Sequence, residues 1–117
     1  MPRDYKLYLE DILEAAQKVL TYVEDTEYQE LVADRMRLEA ILFNLQIIGE
    51  ATKQVPDDMR AQYPVIEWRK IAGLRDVIAH GYFNLDLQII WDVVKNKLPD
   101  LILQVKAILD EPDQPSD

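Results

Sequence analysis

Apolar side chains recur at three-and-four spacing through three long stretches of this chain, and nowhere do they alternate at every second residue. A chain patterned this way can bury its apolar surface only by coiling into helices whose stripes face one another. Between about residues 5 and 23, Tyr8, Ile12, Ala15, Ala16, Val19, Leu20 and Val23 share one face. Asp4 stands where its carboxylate can accept from the free N–H groups that open this helix. Thr26 with Gln29 has the spacing of a capping box for a short second helix through about Val32. Asp34 opens a long third helix striped by Leu38, Ile41, Leu42, Leu45, Ile48 and Thr52. Pro56 ends it, having no N–H to donate and pushing Val55 out of helical geometry.

Residues 57–65 read as a helical turn and a loop closed by Pro64. A helix over about 66–80 follows, and Gly81 is expected to supply its left-handed cap. From near Asp86 a single register runs through Leu87, Ile90, Trp91, Val94, Leu98, Leu101, Ile102, Val105, Ile108 and Leu109. Pro99 falls inside that register, which predicts a kink there and not a stop. The sum is an all-α fold, an antiparallel four-helix bundle with a short extra helix. Residues 1–110 are expected to form a single domain, and "EPDQPSD" at 111–117 a disordered acidic tail.

At 117 residues, 49% of them apolar, the chain suffices for one core. Cysteine is absent, which excludes a disulfide framework and a thiolate metal site. "MPRDYKLYLED" lacks the apolar segment of a secretory signal, and no apolar run approaches a membrane span, so a cytoplasmic protein with no membrane association is expected. The net charge of −9 argues against indiscriminate nucleic-acid binding, because phosphate contacts need cations. The charge is uneven, however. Up to Asp34 nine acids face three bases, whereas Arg60, Arg69, Lys70 and Arg75 stand against Glu67 alone. That segment could carry a local cationic patch.

It leads into "LRDVIAHGYF" at 74–83, which holds the sole histidine, His80, five residues after Arg75. In structural terms, a histidine near a helix C-terminus is a favourable cap and an arginine pairs with a nearby carboxylate. Two details point further. Arg75 lies at the edge of the stripe of Trp68, Ile71 and Ile78, so it is expected to be partly shielded and to need a specific partner. Five helical steps put Arg75 and His80 about 140° apart, so they converge only if the helix relaxes beside Gly81. Tyr82 brings a phenolic hydroxyl to the same place. With no cysteine, no second histidine and no spaced metal ligands, a zinc hydrolase or a Cys-His nucleophile is excluded within one chain. Arginine beside histidine suits phosphoryl transfer: the guanidinium stabilises charge on phosphorus while the imidazole moves a proton. RNA supplies its own nucleophile, the 2′-OH, so neither metal nor cofactor is called for. A base and an acid are both required, and a twofold dimer would supply two histidines.

"RDVIAHGY" resembles the HEPN signature of arginine, four residues, histidine, one residue and tyrosine, with Asp76 as the polar residue after the arginine. "NLQIIGEAT" at 44–52, "YPVIEWRKIAGLRD" at 63–76 and "IIWDVV" at 89–94 are similar, in order, to the HepT-like (DUF86) branch, over about residues 5–109. The resemblance implies a metal-independent ribonuclease toxin of a HEPN/MNT, type VII-like toxin–antitoxin module, a homodimer with a composite cleft. It implies that Arg75 stabilises the scissile phosphate, His80 transfers protons and Asp76 orients one or the other. It also implies a minimal nucleotidyltransferase antitoxin that adds AMP groups to Tyr82, placing bulky anions beside the arginine. The same resemblance fits a non-catalytic accessory or substrate-binding subunit of such a nucleotidyltransferase.

Glu50, next to Gly49 on the long helix, could approach the site across the bundle or remain a solvated carboxylate. Trp68 and Trp91 sit on apolar stripes and read as core, not as base-stacking platforms. Tyr5, Tyr8 and Tyr22 read as packing or dimer-contact residues, and the acidic side of the first helix as a solvated face.

Overall fold

The structure, a computed structural model, describes residues 4–111. Among these it is all-α, built from α1 (Tyr5–Tyr22), α2 (Tyr28–Ala33), α3 (Arg35–Gln54), α4 (Asp57–Ala61), α5 (Trp68–Gly81), α6 (Leu87–Asp92) and α7 (Leu98–Asp110). A 3₁₀ turn at Tyr82–Asn84 follows α5, and a π turn at Val93–Lys97 joins α6 to α7. The Asp4 and Asp34 carboxylates cap α1 and α3 by accepting from the N–H groups of Lys6 and Arg37. No helix among the described residues is long and apolar enough to cross a membrane.

The helical stripes close on one another. Ile12, Ala16 and Val19 of α1, Ile41, Leu45 and Ile48 of α3, Ile78 of α5 and Leu98 and Val105 of α7 are buried in one cluster with Val94. Each fully buried Leu, Ile or Val contributes roughly 1.5–3 kcal/mol. Leu9, outside the stripe expected for α1, is fully buried as well. The polar residues drawn into this interior are satisfied locally: the Thr52 hydroxyl donates to the carbonyl of Ile48 (2.7 Å) and the Asn44 amide to that of Ala40 (2.9 Å). Trp68 is buried and Trp91 packs against the core, as do Tyr5, Tyr8 and Tyr22.

The long helix α3 lies between α1 and α5, and α1 packs in turn against α7. On the other side a groove of about 240 Å³ separates α5 from α7, lined by Ile71, Leu74, Val93, Leu98 and Leu101. α3 and α5 run in opposite directions, since Glu50 meets Arg75 while Glu39, three turns earlier, meets Tyr82 beyond the end of α5. Gly49 sets how closely they approach: a Cβ there would lie 2.8 Å from the backbone nitrogen of Arg75 and 2.9 Å from its Cβ.

Four expectations change. The capping box of α2 is made by Glu27 and Glu30, not by Thr26 and Gln29. The Thr26 hydroxyl is engaged elsewhere, donating to the carbonyl of Glu24 and accepting from Arg37. Gly81 is not left-handed (φ −122°), because the chain tightens into the 3₁₀ turn, which offers the last carbonyls partners without a reversal. Among the described residues it is Asp25 (φ 55°), in the loop between α1 and α2, that is left-handed, and aspartate tolerates that region better than most residues. The irregularity expected at Pro99 is the π turn just before it, where the N–H of Leu98 donates to the carbonyl of Val93, five residues back. The widened turn spans Lys95, whose carbonyl the proline ring would otherwise meet. Finally, Glu111 does not belong to a free tail, because it accepts a hydrogen bond from the Tyr63 hydroxyl. The other residues assigned to the tail lie outside the described segment.

Candidate functional site

The start of α5 is pinned by Trp68, whose indole N–H donates to the carbonyls of Arg60 (3.1 Å) and Tyr63 (3.0 Å). Two turns on, Arg75 and Asp76 face α3. The Arg75 guanidinium lies 3.5 Å from Glu50 through Nε and 3.3 Å from Asp76 Oδ1 through Nη1. It is partly shielded, with 43% of its side chain exposed. Glu50 therefore does cross to the site, and Gly49 beside it is what permits the approach.

The same Asp76 Oδ1 accepts from Lys53 Nζ at 3.0 Å. That hydrogen bond is the main reason the Asp76 carboxyl is held below its ordinary pKa; partial desolvation opposes it and Arg75 adds to it. At the backbone, Asp76 serves His80. Its carbonyl oxygen lies 3.0 Å from His80 Nδ1. A carbonyl can only accept, so Nδ1 carries the proton in the neutral form of the exposed ring, which leaves Nε2 as the acceptor there. Arg75 and His80 are thus joined through Asp76, not by the relaxation expected at Gly81, because α5 stays helical through Gly81.

Tyr82 follows on the 3₁₀ turn. Its hydroxyl donates to Glu39 (3.3 Å), which also pairs with Arg35 (3.0 Å), and its ring meets Phe83 edge-on. Phe83 is 92% exposed. The expected cationic patch is largely tied up locally: Arg60 pairs with Asp57 and Lys70 with Glu67. Among the described residues no group of three or more His, Asp or Glu side chains is placed to hold a metal ion.

Lys53 and Glu39 were not singled out from the sequence. A helical register puts them on one face, since Glu50 and Lys53 lie 11 and 14 residues after Glu39 and the three fall within about 60° of one another. What the register lacks is any sign that this face meets Arg75 and Tyr82.

A family sequence model described as ribonuclease HepT-like matches residues 12–108. The chain belongs to the HepT-like ribonuclease family. It is 37% identical over 101 residues to the "Probable ribonuclease HepT" of Thermococcus cleftensis, covering 86% of this chain and 92% of that one. Two proteins of Methanocaldococcus jannaschii, each named "Putative RNase", are 36% and 35% identical to it over 110 and 106 residues. These alignments take in 93% and 91% of this chain and 91% and 97% of the relatives. No solved structure matches. In this HepT-like chain Arg75, Asp76 and His80 lie in the last two turns of α5, with Tyr82 just beyond its end.

Proposed function

We propose that this HepT-like protein is a metal-independent endoribonuclease, the toxin of a toxin–antitoxin module. It acts as a homodimer and is silenced when a minimal nucleotidyltransferase adds AMP groups to Tyr82. The observation that supports this reading best is the double use of Asp76, whose carboxylate holds Arg75 while its carbonyl sets the tautomer of His80. One residue thus holds the partly shielded arginine and leaves Nε2 of the exposed histidine to act on a proton.

In the reaction, Nε2 of neutral His80 removes the proton of a ribose 2′-OH, whose oxygen attacks the adjacent phosphorus. The O2′–P bond forms and the P–O5′ bond breaks, and O5′ takes a proton from the imidazolium of His80 of a second copy. The products are a 2′,3′-cyclic phosphate and a 5′-hydroxyl. Arg75, with guanidinium donors beyond those used on Glu50 and Asp76, stabilises the charge that gathers on phosphorus. AMP on Tyr82 would add bulk and phosphate charge just beyond the end of α5 and obstruct RNA there.

The test is digestion of RNA by protein shown by mass to be unmodified, with and without EDTA, beside His80→Ala and Arg75→Ala. Cleavage to cyclic phosphates that ignores EDTA and vanishes in both variants is the expected result. Activity surviving His80→Ala overturns the mechanism, and activity lost to EDTA overturns metal independence. A monomer in sedimentation with full activity overturns the composite site. RNA binding with no cleavage favours the accessory-subunit reading.

A further inference from the structure

We infer that Lys53 is a positioning residue for Arg75: from α3 its ammonium takes hold of the Asp76 carboxylate, so that Asp76 steers the guanidinium without neutralising it. The inference rests on the nuclease reading of Arg75. Two residues of α3 one turn apart, Glu50 and Lys53, each address a different member of the adjacent pair Arg75 and Asp76. The Glu50 carboxylate meets the guanidinium and the Lys53 ammonium meets the carboxylate, giving a chain of alternating charge from Lys53 through Asp76 and Arg75 to Glu50.

The shorter link is the one across the helices. Asp76 Oδ1 lies 3.0 Å from Lys53 and 3.3 Å from Arg75, although Arg75 is its neighbour in the chain. Neighbouring residues on a helix diverge by about 100°, so a carboxylate reaches the preceding arginine only along the helix surface. Lys53 pulls it toward α3, the side on which Arg75 also meets Glu50. It matters for charge as well. Lys53 and Arg75 balance Asp76 and Glu50, so the group is neutral; without Lys53 it carries a net negative charge where an RNA phosphate has to bind.

A simple staple between helices would behave differently. Lys53 and Asp76 are 35% and 49% exposed, and ion pairs this open to water contribute little to stability. Lys53→Met should therefore melt close to wild type. Its kcat on RNA should fall by up to about 100-fold, the scale of a misplaced catalytic group, with a much smaller change in KM. Lys53→Arg should keep most of kcat. In a ¹³C NMR titration the Asp76 carboxyl should take up its proton at higher pH in Lys53→Met than in wild type. Wild-type kcat in Lys53→Met, or an unmoved Asp76 titration, overturns the inference while leaving the nuclease reading in place. A wild-type protein that cuts no RNA removes the nuclease reading, and this inference with it.

Discussion

His80 Nδ1 faces the backbone carbonyl of Asp76, one helical turn earlier, at 3.0 Å. The contact settles which ring nitrogen holds the proton in the neutral form, and that decides which one can act as a base. Two-dimensional ¹⁵N NMR of the neutral imidazole should show Nδ1 protonated and Nε2 bare. A ring found with its proton on Nε2 contradicts the arrangement. Because the side chain is exposed, His80→Ala should fold normally by circular dichroism while RNA cleavage falls about 10²- to 10⁴-fold.

Gly49→Ala should damage the site by forcing α3 away from Arg75. The added Cβ would meet the nitrogen and Cβ of Arg75 at 2.8 and 2.9 Å, and atoms on a packed helix yield only if α3 and α5 move apart. Denaturant unfolding is expected to show a loss of about 1–3 kcal/mol, the usual scale of overpacking. Gly73→Ala is the control, because nothing lies within 4 Å of a Cβ at that position. Equal stability of the two variants would refute this account of the helix crossing.

Asp76→Asn should cost stability only where the carboxylate is charged. The folded-state pKa of Asp76 is lowered, chiefly by the hydrogen bond from Lys53. Its contribution is therefore present above the unfolded value, near 4, and is lost as pH falls through the folded value. The gap in melting temperature between wild type and Asp76→Asn should be small, as for any ion pair this open to water, constant from about pH 6 to 7, and closed below about pH 4. A gap that widens on acidification has the wrong sign.

Tyr82 offers its hydroxyl at the edge of the site, held by Glu39. Incubation with ATP, magnesium and a minimal nucleotidyltransferase of the proposed kind should add mass in AMP steps and reduce RNA cleavage together. Tyr82→Phe should show neither change. Mass added at another residue would displace Tyr82 as the switch.

Much of the architecture was legible because it depends on local periodicity. The stripes of α1 and α3 are buried as their spacing requires, and Pro56 ends α3 where its chemistry demands. The choices that failed were between near-equivalent local solutions. Thr26 and Glu27 can each open α2, and the glutamate wins where Arg37 engages the threonine hydroxyl. Gly81 can turn left-handed but need not, since a 3₁₀ turn ends the helix as well.

The motif residues themselves are written in ten consecutive positions, and with the surrounding blocks they suffice to place the chain in its family. Their partners are not. Lys53 is 23 residues from Asp76 and Glu39 is 43 from Tyr82, and both were ordinary surface charges until α3 docked on α5. Helical periodicity says which face a residue occupies, but not which face of another helix it meets. That is set by the distance and angle at which two helices pack, here by the missing side chain of Gly49 against the backbone of Arg75. The sequence alone thus determined the helices, their buried faces and the family to which the chain belongs; the tertiary structure decided which charges of α3 meet Arg75, Asp76 and Tyr82.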